Sequence, residues 1–326
     1  MTKDRHAHPV VIAHRGASAY LPEHTLASKA VAHAMGADFL EQDIVLSRDN
    51  IPIVLHDVYL ETTTDVAQRF PDRARQDGRF YAMDFDFHEI GTLKVHERST
   101  TSTENKRAAV YPSRFPVTSN LFAIASLEEE LDLIEGLNKS RNHRAGIYLE
   151  FKAPNLHADR GLDIVASVME VLSRKGWAQR PESVYLQCFD PPTLQRLASE
   201  FATPLPLIQL IGENDWGEDS GADYNHMRTP QGLKQIASYA QGIGPWLHHI
   251  YLGKSADGSP EISDLTQQAH DNGLLVHPYT FRADELPSGI ATGRELLDVL
   301  FQMADVDGIF SDFPDLVVDY LSELTT

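Results

Sequence analysis

Four short groupings in this chain of 326 residues carry side chains suited to proton transfer and anion binding. His14-Arg15-Gly16 sets an imidazole beside a guanidinium. Glu41 and Asp43 lie two apart in Leu40-Glu41-Gln42-Asp43-Ile44, and Glu150 and Lys152 lie two apart in Tyr148-Leu149-Glu150-Phe151-Lys152. His56 closes the run Ile53-Val54-Leu55 and precedes Asp57. On an extended strand, residues two apart share a face. Glu41 and Asp43 therefore point the same way, and so do Glu150 and Lys152. Two carboxylates on one buried face repel each other unless a cation lies between them. Glu150 adds a third carboxylate. With no thiolate cage and no His-x-His at a strand end, the set favours a hard cation, Ca²⁺ or Mg²⁺, over Zn²⁺. Arg15 offers a two-pronged donor matched to phosphate or carboxylate, and Lys152 offers a second positive charge. His14 and His56 can supply an acid and a base. A His-Arg pair alone is more often a structural ion-pair network than a site. The four groupings together suit phosphoryl chemistry.

For these groups to meet, their elements must bring them to one place. Apolar, nearly continuous runs read as buried strands at Val10 to His14, Phe39 to Leu46, Ile51 to His56, Gly146 to Phe151 and Ser183 to Phe189. Further runs are Leu205 to Ile211, Gly242 to Leu247, Leu274 to Tyr279 and Gly308 to Phe313. Helical patterns lie between most of them. Thr25 to Met35 is followed by Gly36, a suitable helix-ending glycine. Ser126-x-x-Glu129 is a capping box opening the series Leu127, Leu131, Ile134. Repeated strand–helix alternation implies a parallel sheet, and about eight units in about 250 residues imply an α/β (β/α)₈ TIM barrel. No Gly-x-Gly-x-x-Gly follows the first strand, which weakens a doubly wound alternative. Residues 61–125 break the alternation, with nine acidic and nine basic side chains and many aromatics. A structureless loop of that length is unusual, so the segment is expected to be a folded insertion after the second unit, within a single domain spanning 1–326. Leaving the chain just past His56, it is expected either to wall the active site or simply to pack on the barrel.

Composition narrows the function classes. With 28 Lys and Arg against 47 Asp and Glu, the formal charge is −19. Such a surface repels nucleic-acid backbones and anionic lipid, while a small phosphate ester remains suitable beside local cations. The single cysteine, Cys188, rules out an intrachain disulfide and sits in an apolar run, as expected of an inert thiol. No apolar run is long enough to span a membrane. His6-Ala7-His8 has metal-ligand spacing but precedes the first strand and reads as a mobile tail.

The motifs also resemble a known family. His14-Arg15-Gly16-Ala17-Ser18-x-x-x-Pro22-Glu23-His24-Thr25, then Gly36-Ala37-Asp38-x-x-Glu41-x-Asp43, then Val54-Leu55-His56-Asp57 are similar to the glycerophosphodiester phosphodiesterase signature. Glu150-Phe151-Lys152 resembles its next metal segment. The later runs at 185–189, 242–245, 276–280 and 312–314, with Arg69-Phe70-Pro71-Asp72-Arg73-Ala74-Arg75, resemble the long bacterial periplasmic branch. His24 stands where Asn is commoner in the wider family, which fits that branch. The resemblance implies a TIM barrel that hydrolyses glycerophosphodiesters to sn-glycerol 3-phosphate and an alcohol. It implies His14 and His56 as the acid/base pair, with His14 favoured as base. It implies Glu41, Asp43 and Glu150 as ligands of one divalent ion, Ca²⁺ first and Mg²⁺ second, and Arg15 and Lys152 as phosphate contacts. Phe281, Trp216 and His277 are carried as candidates for the glycerol pocket, although aromatics more often pack cores. His248 and His249 receive no role.

The reaction left open is either attack by a substrate hydroxyl through a cyclic phosphate or direct attack by water. Two other readings stay open: a lysophospholipid or sphingolipid head-group phosphodiesterase on the same barrel, and a non-catalytic glycerophosphodiester-binding protein. The expected partner is a small-molecule glycerophosphodiester, with no nucleic acid and no membrane span, and with a homodimer left possible. The resemblance implies a periplasmic location if a signal peptide was removed, and the chain as given implies a cytoplasmic one if complete.

Overall fold

Buried apolar runs form the strands of the computed structural model, which describes residues 8–101, 107–119, 121–218 and 220–324. Eight strands run parallel: β1 (Val10–Ala13), β2 (Phe39–Leu46), β3 (Gly146–Phe151), β4 (Val184–Cys188), β5 (Leu207–Ile211), β6 (Gly242–Pro245), β7 (Leu275–Val276) and β8 (Gly308–Ser311). Each pairs with the next from β1 to β7, and β1 pairs with β8. Hydrogen bonds from Asp307 N to Val276 O and from Phe281 N to Phe310 O bring β8 back to β7. One main helix follows each strand: α1 (Leu26–Met35), α2 (Leu127–Arg141), α3 (Ile164–Arg174), α4 (Pro191–Ser199), α5 (Pro230–Ile236), α6 (Leu265–Asp271), α7 (Gly293–Leu297) and α8 (Pro314–Leu324). The expected punctuation is present. Gly36 ends α1 at φ 90°, and Ser126 and Glu129 form the capping box of α2. This is the (β/α)₈ barrel the alternation implied.

Period-two alternation splits the barrel strands into an inward and an outward set. Val10, Ile12, Phe39, Tyr148, Tyr185, Ile208 and Phe310 form an apolar cluster inside the barrel, with Tyr148 and Tyr185 stacked at 4.9 Å. A larger apolar core joins the outward faces to the helices.

Two expectations need correction. Ile51 to His56 is not a barrel strand: Pro52–Val54 folds back antiparallel on β2, pairing Ile44 with Val54. Because α2 comes only after this hairpin and residues 61–125, the extra segment lies inside the second unit, between β2 and its helix, rather than after it. Phe80, Phe85, Ile90 and Leu93 of the segment build a separate apolar core on Val45, Ile53 and Leu55. A hairpin of Ser99–Thr101 with Arg107–Ala109 follows. His6 and Ala7 lie outside the described residues. Among the described residues, no helix is long and apolar enough to cross a membrane.

The back of β2 is anchored by a fully buried ion pair. Lys29 of α1 donates to Glu130 of α2 at 2.5 Å and also to the carbonyl of Glu41, while Gln42 donates to Glu130 at 2.9 Å. Removing one member strands a buried charge. Lys29→Met is expected to lower stability by about 3–5 kcal/mol, and Lys29→Met with Glu130→Leu to recover most of that loss. Urea unfolding of the three proteins checks this; equal losses in the single and double variants would contradict it.

Candidate active site

The first turn after β1 is built tightly. Arg15 and Gly16 both have positive φ, at 58° and 89°. A side chain at Gly16 would meet Ser28 Oγ at 2.5 Å, so this position accepts only glycine beneath α1. The left-handed Arg15 backbone turns its N–H onto Glu41 Oε2 at 2.7 Å. Its guanidinium bonds Glu23 at 3.1 Å and lies 3.6 Å from Asp43. A non-glycine residue held in this region is a marker of a constrained site. His24, also at φ 58°, sets its Nε2 2.7 Å from Asp43 Oδ2.

At the carboxyl ends of the strands these residues open into a cavity of about 530 Å³, within the range of small-ligand sites. His14, Arg15, Glu41, Asp43, His56, Glu150 and Lys152 all line it, so the structure brings together every catalytic, metal and phosphate candidate read from the sequence. Asp43 and Glu150 are register partners on β2 and β3. Oxygens of Glu41, Asp43 and Glu150 lie within 4.8 Å of one another, and all three residues are buried. Burial and the Asp43 charge push Glu41 well above the carboxylate range. The same two causes raise Glu150, against the opposing charge of Lys152 at 2.7 Å. Burial works against ionised Asp43 too, but His56, His24 and Lys152 hold it well below the usual range. Asp43 Oδ1 is buried without a hydrogen-bond donor. A converging set of oxygens, one of them unpartnered, fits a hard divalent cation.

Both histidines are held from behind by aspartates. His14 Nδ1 is 2.5 Å from Asp312 Oδ1, and His56 Nδ1 is 2.6 Å from Asp57 Oδ1. Burial alone would raise Asp312, but Arg282, His14 and Arg114 hold it well below the carboxylate range. Asp57 is likewise held down, by His56 and Arg98. An ionised carboxylate only accepts, so Nδ1 carries the proton in each ring and Nε2 is left as the working nitrogen. Burial, reinforced by Arg15, lowers His14 to about 4 and His56 to about 3, so both rings are neutral near pH 7. His14 Nε2 lies 4.0 Å from Glu41, beside the carboxylate cluster.

The pocket candidates divide. Trp216 lines the cavity, with its ring 5.1 Å from Trp246. Phe281 does not reach it. Thr280 and Arg282 line the cavity, so alternation turns Phe281 outward, where its buried ring packs on Gly293 of α7. His277 sits in the barrel interior, with Nδ1 3.0 Å from Tyr148 Oη, and does not line the cavity. His248, given no role from sequence, lines the cavity against Trp246, while His249 bonds Glu213 at 2.9 Å. Cys188 is buried and its thiol is pushed up by burial, as expected of an inert group. No described residue of 61–125 lines the cavity; its apolar side chains pack on Val45, Ile53 and Leu55 instead. Sequence reasoning gave no role to Asp57, Asp312, Arg98, Arg114 or Arg282. The two aspartates were signalled only by lying beside strand ends, and the arginines were indistinguishable from other charges.

Known proteins are similar along most of this chain. Residues 14–316 match the model of the glycerophosphoryl diester phosphodiesterase family. The glycerophosphodiester phosphodiesterase of Haemophilus influenzae is 39% identical, covering 96% of this chain and 89% of that protein. That of Treponema pallidum is 38% identical over 96% and 92%. A solved structure of a Silicibacter pomeroyi protein of this kind superposes with a TM-score of 0.71 at 24% identity, covering 98% and 95% of the two chains. An Oleispira antarctica phosphodiesterase, solved with the product sn-glycerol-3-phosphate, superposes with a TM-score of 0.63 at 21% identity, over 96% and 97%.

The lowered His14 value has a consequence for metal-free protein. Between about 6.5, the unfolded value, and about 4, the unfolded chain binds a proton that folded His14 refuses. Folding stability therefore falls as pH drops through that window, by up to about 1.4 kcal/mol per pH unit for this group, and levels off below it. His14→Gln is expected to show a shallower loss than the parent between pH 6.5 and 4. Urea titrations at several pH values measure the difference, and parallel slopes would contradict the assignment.

Proposed function

Because this chain belongs to the glycerophosphoryl diester phosphodiesterase family, we propose that it hydrolyses glycerophosphodiesters to sn-glycerol 3-phosphate and an alcohol. The observation that carries this reading is one cavity in which two aspartate-backed imidazoles face three converging carboxylates and two fixed cations. Glu41, Asp43 and Glu150 would hold a divalent ion, Ca²⁺ first and Mg²⁺ second. When bound, that ion supplies positive charge that polarises substrate oxygens.

The chain's own groups then divide the work. Arg15 and Lys152 bind the phosphate oxygens and offset its charge. His14, beside the carboxylate cluster, takes the proton of the attacking hydroxyl at Nε2. His56 Nε2 gives a proton to the oxygen of the departing alcohol. The negative charge of the substrate favours the protonated form that His56 needs, which the empty cavity disfavours. Asp312 and Asp57 keep each ring in the tautomer that presents Nε2. Where a glycerol hydroxyl is the nucleophile, a cyclic phosphate forms and water opens it with the two histidines exchanging roles; direct attack by water needs one pass.

The experiment is release of sn-glycerol 3-phosphate from glycerophosphocholine and glycerophosphoethanolamine, with and without chelator and with Ca²⁺ or Mg²⁺ restored. Chelation is expected to abolish release and either ion to restore it, and Glu41→Ala, Asp43→Ala or Glu150→Ala to weaken metal binding in folded protein. Full activity in excess chelator, with no metal in the protein, overturns the metal assignment.

His14→Ala and His56→Ala are each expected to lose about 10²–10⁴-fold in turnover, with the double variant losing much less than the product. Arg15→Ala is expected to lose about 10–150-fold in kcat/KM. Steady-state kinetics with thermal melts check these. Histidine variants with near-normal turnover but a much lower melting temperature would make the rings structural.

A further inference from the structure

None of the described residues of 61–125 lines the cavity, yet this segment reaches both histidines from behind. Arg98, immediately before the hairpin of 99–101 and 107–109, donates through Nη1 to Asp57 Oδ2 at 2.9 Å and through Nη2 to Asp57 Oδ1 at 3.3 Å. It also grips Glu23 through Nε at 2.8 Å and Nη2 at 2.6 Å. Asp57 holds His56, and Glu23 holds Arg15. Arg114, just beyond the same hairpin, lies 2.8 Å from Asp312 and makes a two-pronged bond to Asp284 at 2.8 and 2.9 Å. Asp312 holds His14. Both guanidinium groups are largely buried, with Arg114 only 4% exposed. The base of the hairpin is closed by Val110 N on Arg98 O at 3.0 Å, so the two arginines stand on one paired unit.

We infer that Arg98 and Arg114 are positioning residues for the proposed hydrolysis: one hairpin fixes the aspartates behind His56 and His14, and so sets both rings and their spacing across the cavity. The inference rests on the acid/base reading above. The two-pronged grip of Arg98 allows Asp57 little rotation, while Arg114, itself fixed by its fork on Asp284, holds Asp312 Oδ2 together with Arg282 Nε at 2.9 Å, and each carboxylate fixes the ring it accepts from. Lysine, a point charge, keeps the attraction without the fork. Displacing a reacting group by about 1 Å can cost about 10²-fold in rate, so a brace outside the cavity can control turnover.

The test combines kinetics with long-range ¹H–¹⁵N spectra of the histidine side chains, recorded on folded protein without substrate. Arg98→Ala is expected to lower kcat at least about tenfold, with KM rising as well because Glu23 and so Arg15 lose their anchor. It is also expected to convert His56 from a single Nδ1–H tautomer to a mixture, with His14 unchanged. Arg114→Ala is expected to do the reverse. Arg98→Lys and Arg114→Lys should recover part of kcat and serve as the test pair where an alanine variant fails to fold. Unaltered tautomers and turnover in folded variants overturn the brace, as does a lowered melting temperature alone. Altered tautomers in a protein whose parent releases no sn-glycerol 3-phosphate would sink the proposed function and leave the brace standing.

Discussion

Like charges forced onto one face of one strand govern this molecule. Strand β2 alternates strictly, so Glu41 and Asp43 must enter the barrel together, and β3 adds Glu150 in register with Asp43. Three carboxylates this close raise one another's affinity for protons unless positive charge is supplied. The fold supplies it from several directions. Arg15 comes from a left-handed turn after β1 and Lys152 from the end of β3, and His24, kept neutral by burial in the loop before α1, adds a hydrogen bond to Asp43. Each of these is fixed because the carboxylates are fixed. The opposite face of β2 is tied down equally firmly, through Lys29, Gln42 and Glu130, so the strand can neither slide nor rotate to relieve the repulsion.

The positive charges are arranged in two depths. Those that touch the cavity, Arg15 and Lys152, offset the carboxylates directly. Those behind it, Arg98 and Arg114, together with Arg282 at the cavity wall, keep Asp57 and Asp312 ionised against the cost of burial. Neutral imidazoles result, each with one nitrogen committed to a carboxylate and the other facing the cavity. That pattern suits proton relay at neutral pH better than an isolated histidine, whose tautomer would be free to change.

What the sequence made legible follows period and proximity. The barrel could be read because eight strands buried on both faces leave nearly continuous apolar runs, with helix caps such as Thr25, Gly36 and Ser126 between them. The front of the site could be read because its residues end or interrupt those runs. Pro52–Val54 was misplaced because a hairpin strand covered by the added segment is as apolar as a barrel strand, and pairing direction leaves no trace in composition. Phe281 was misplaced by one step of alternation, since the end of the β7 run could not be fixed to a single residue. Asp57 adjoins His56, but the other links behind the histidines join distant stretches of chain, 298 residues apart for His14 and Asp312 and 41 for Asp57 and Arg98. No local pattern marks such pairs. The pair of His14 and Asp312 exists only once the barrel has closed and β8 stands beside β1.

The aromatic filling of the lower barrel bears on traffic through the molecule. Tyr148, Tyr185, Phe39 and Phe310 pack ring against ring beneath the carboxylates, and His277 is bonded among them. Side chains this tightly interlocked leave no passage along the barrel axis. Whatever enters the cavity must leave by the same opening, and two fragments formed there cannot depart by separate exits. A vestibule closed below by packed rings gives entry and exit one shared mouth, so anything still bound there stands in the way of the next molecule to arrive.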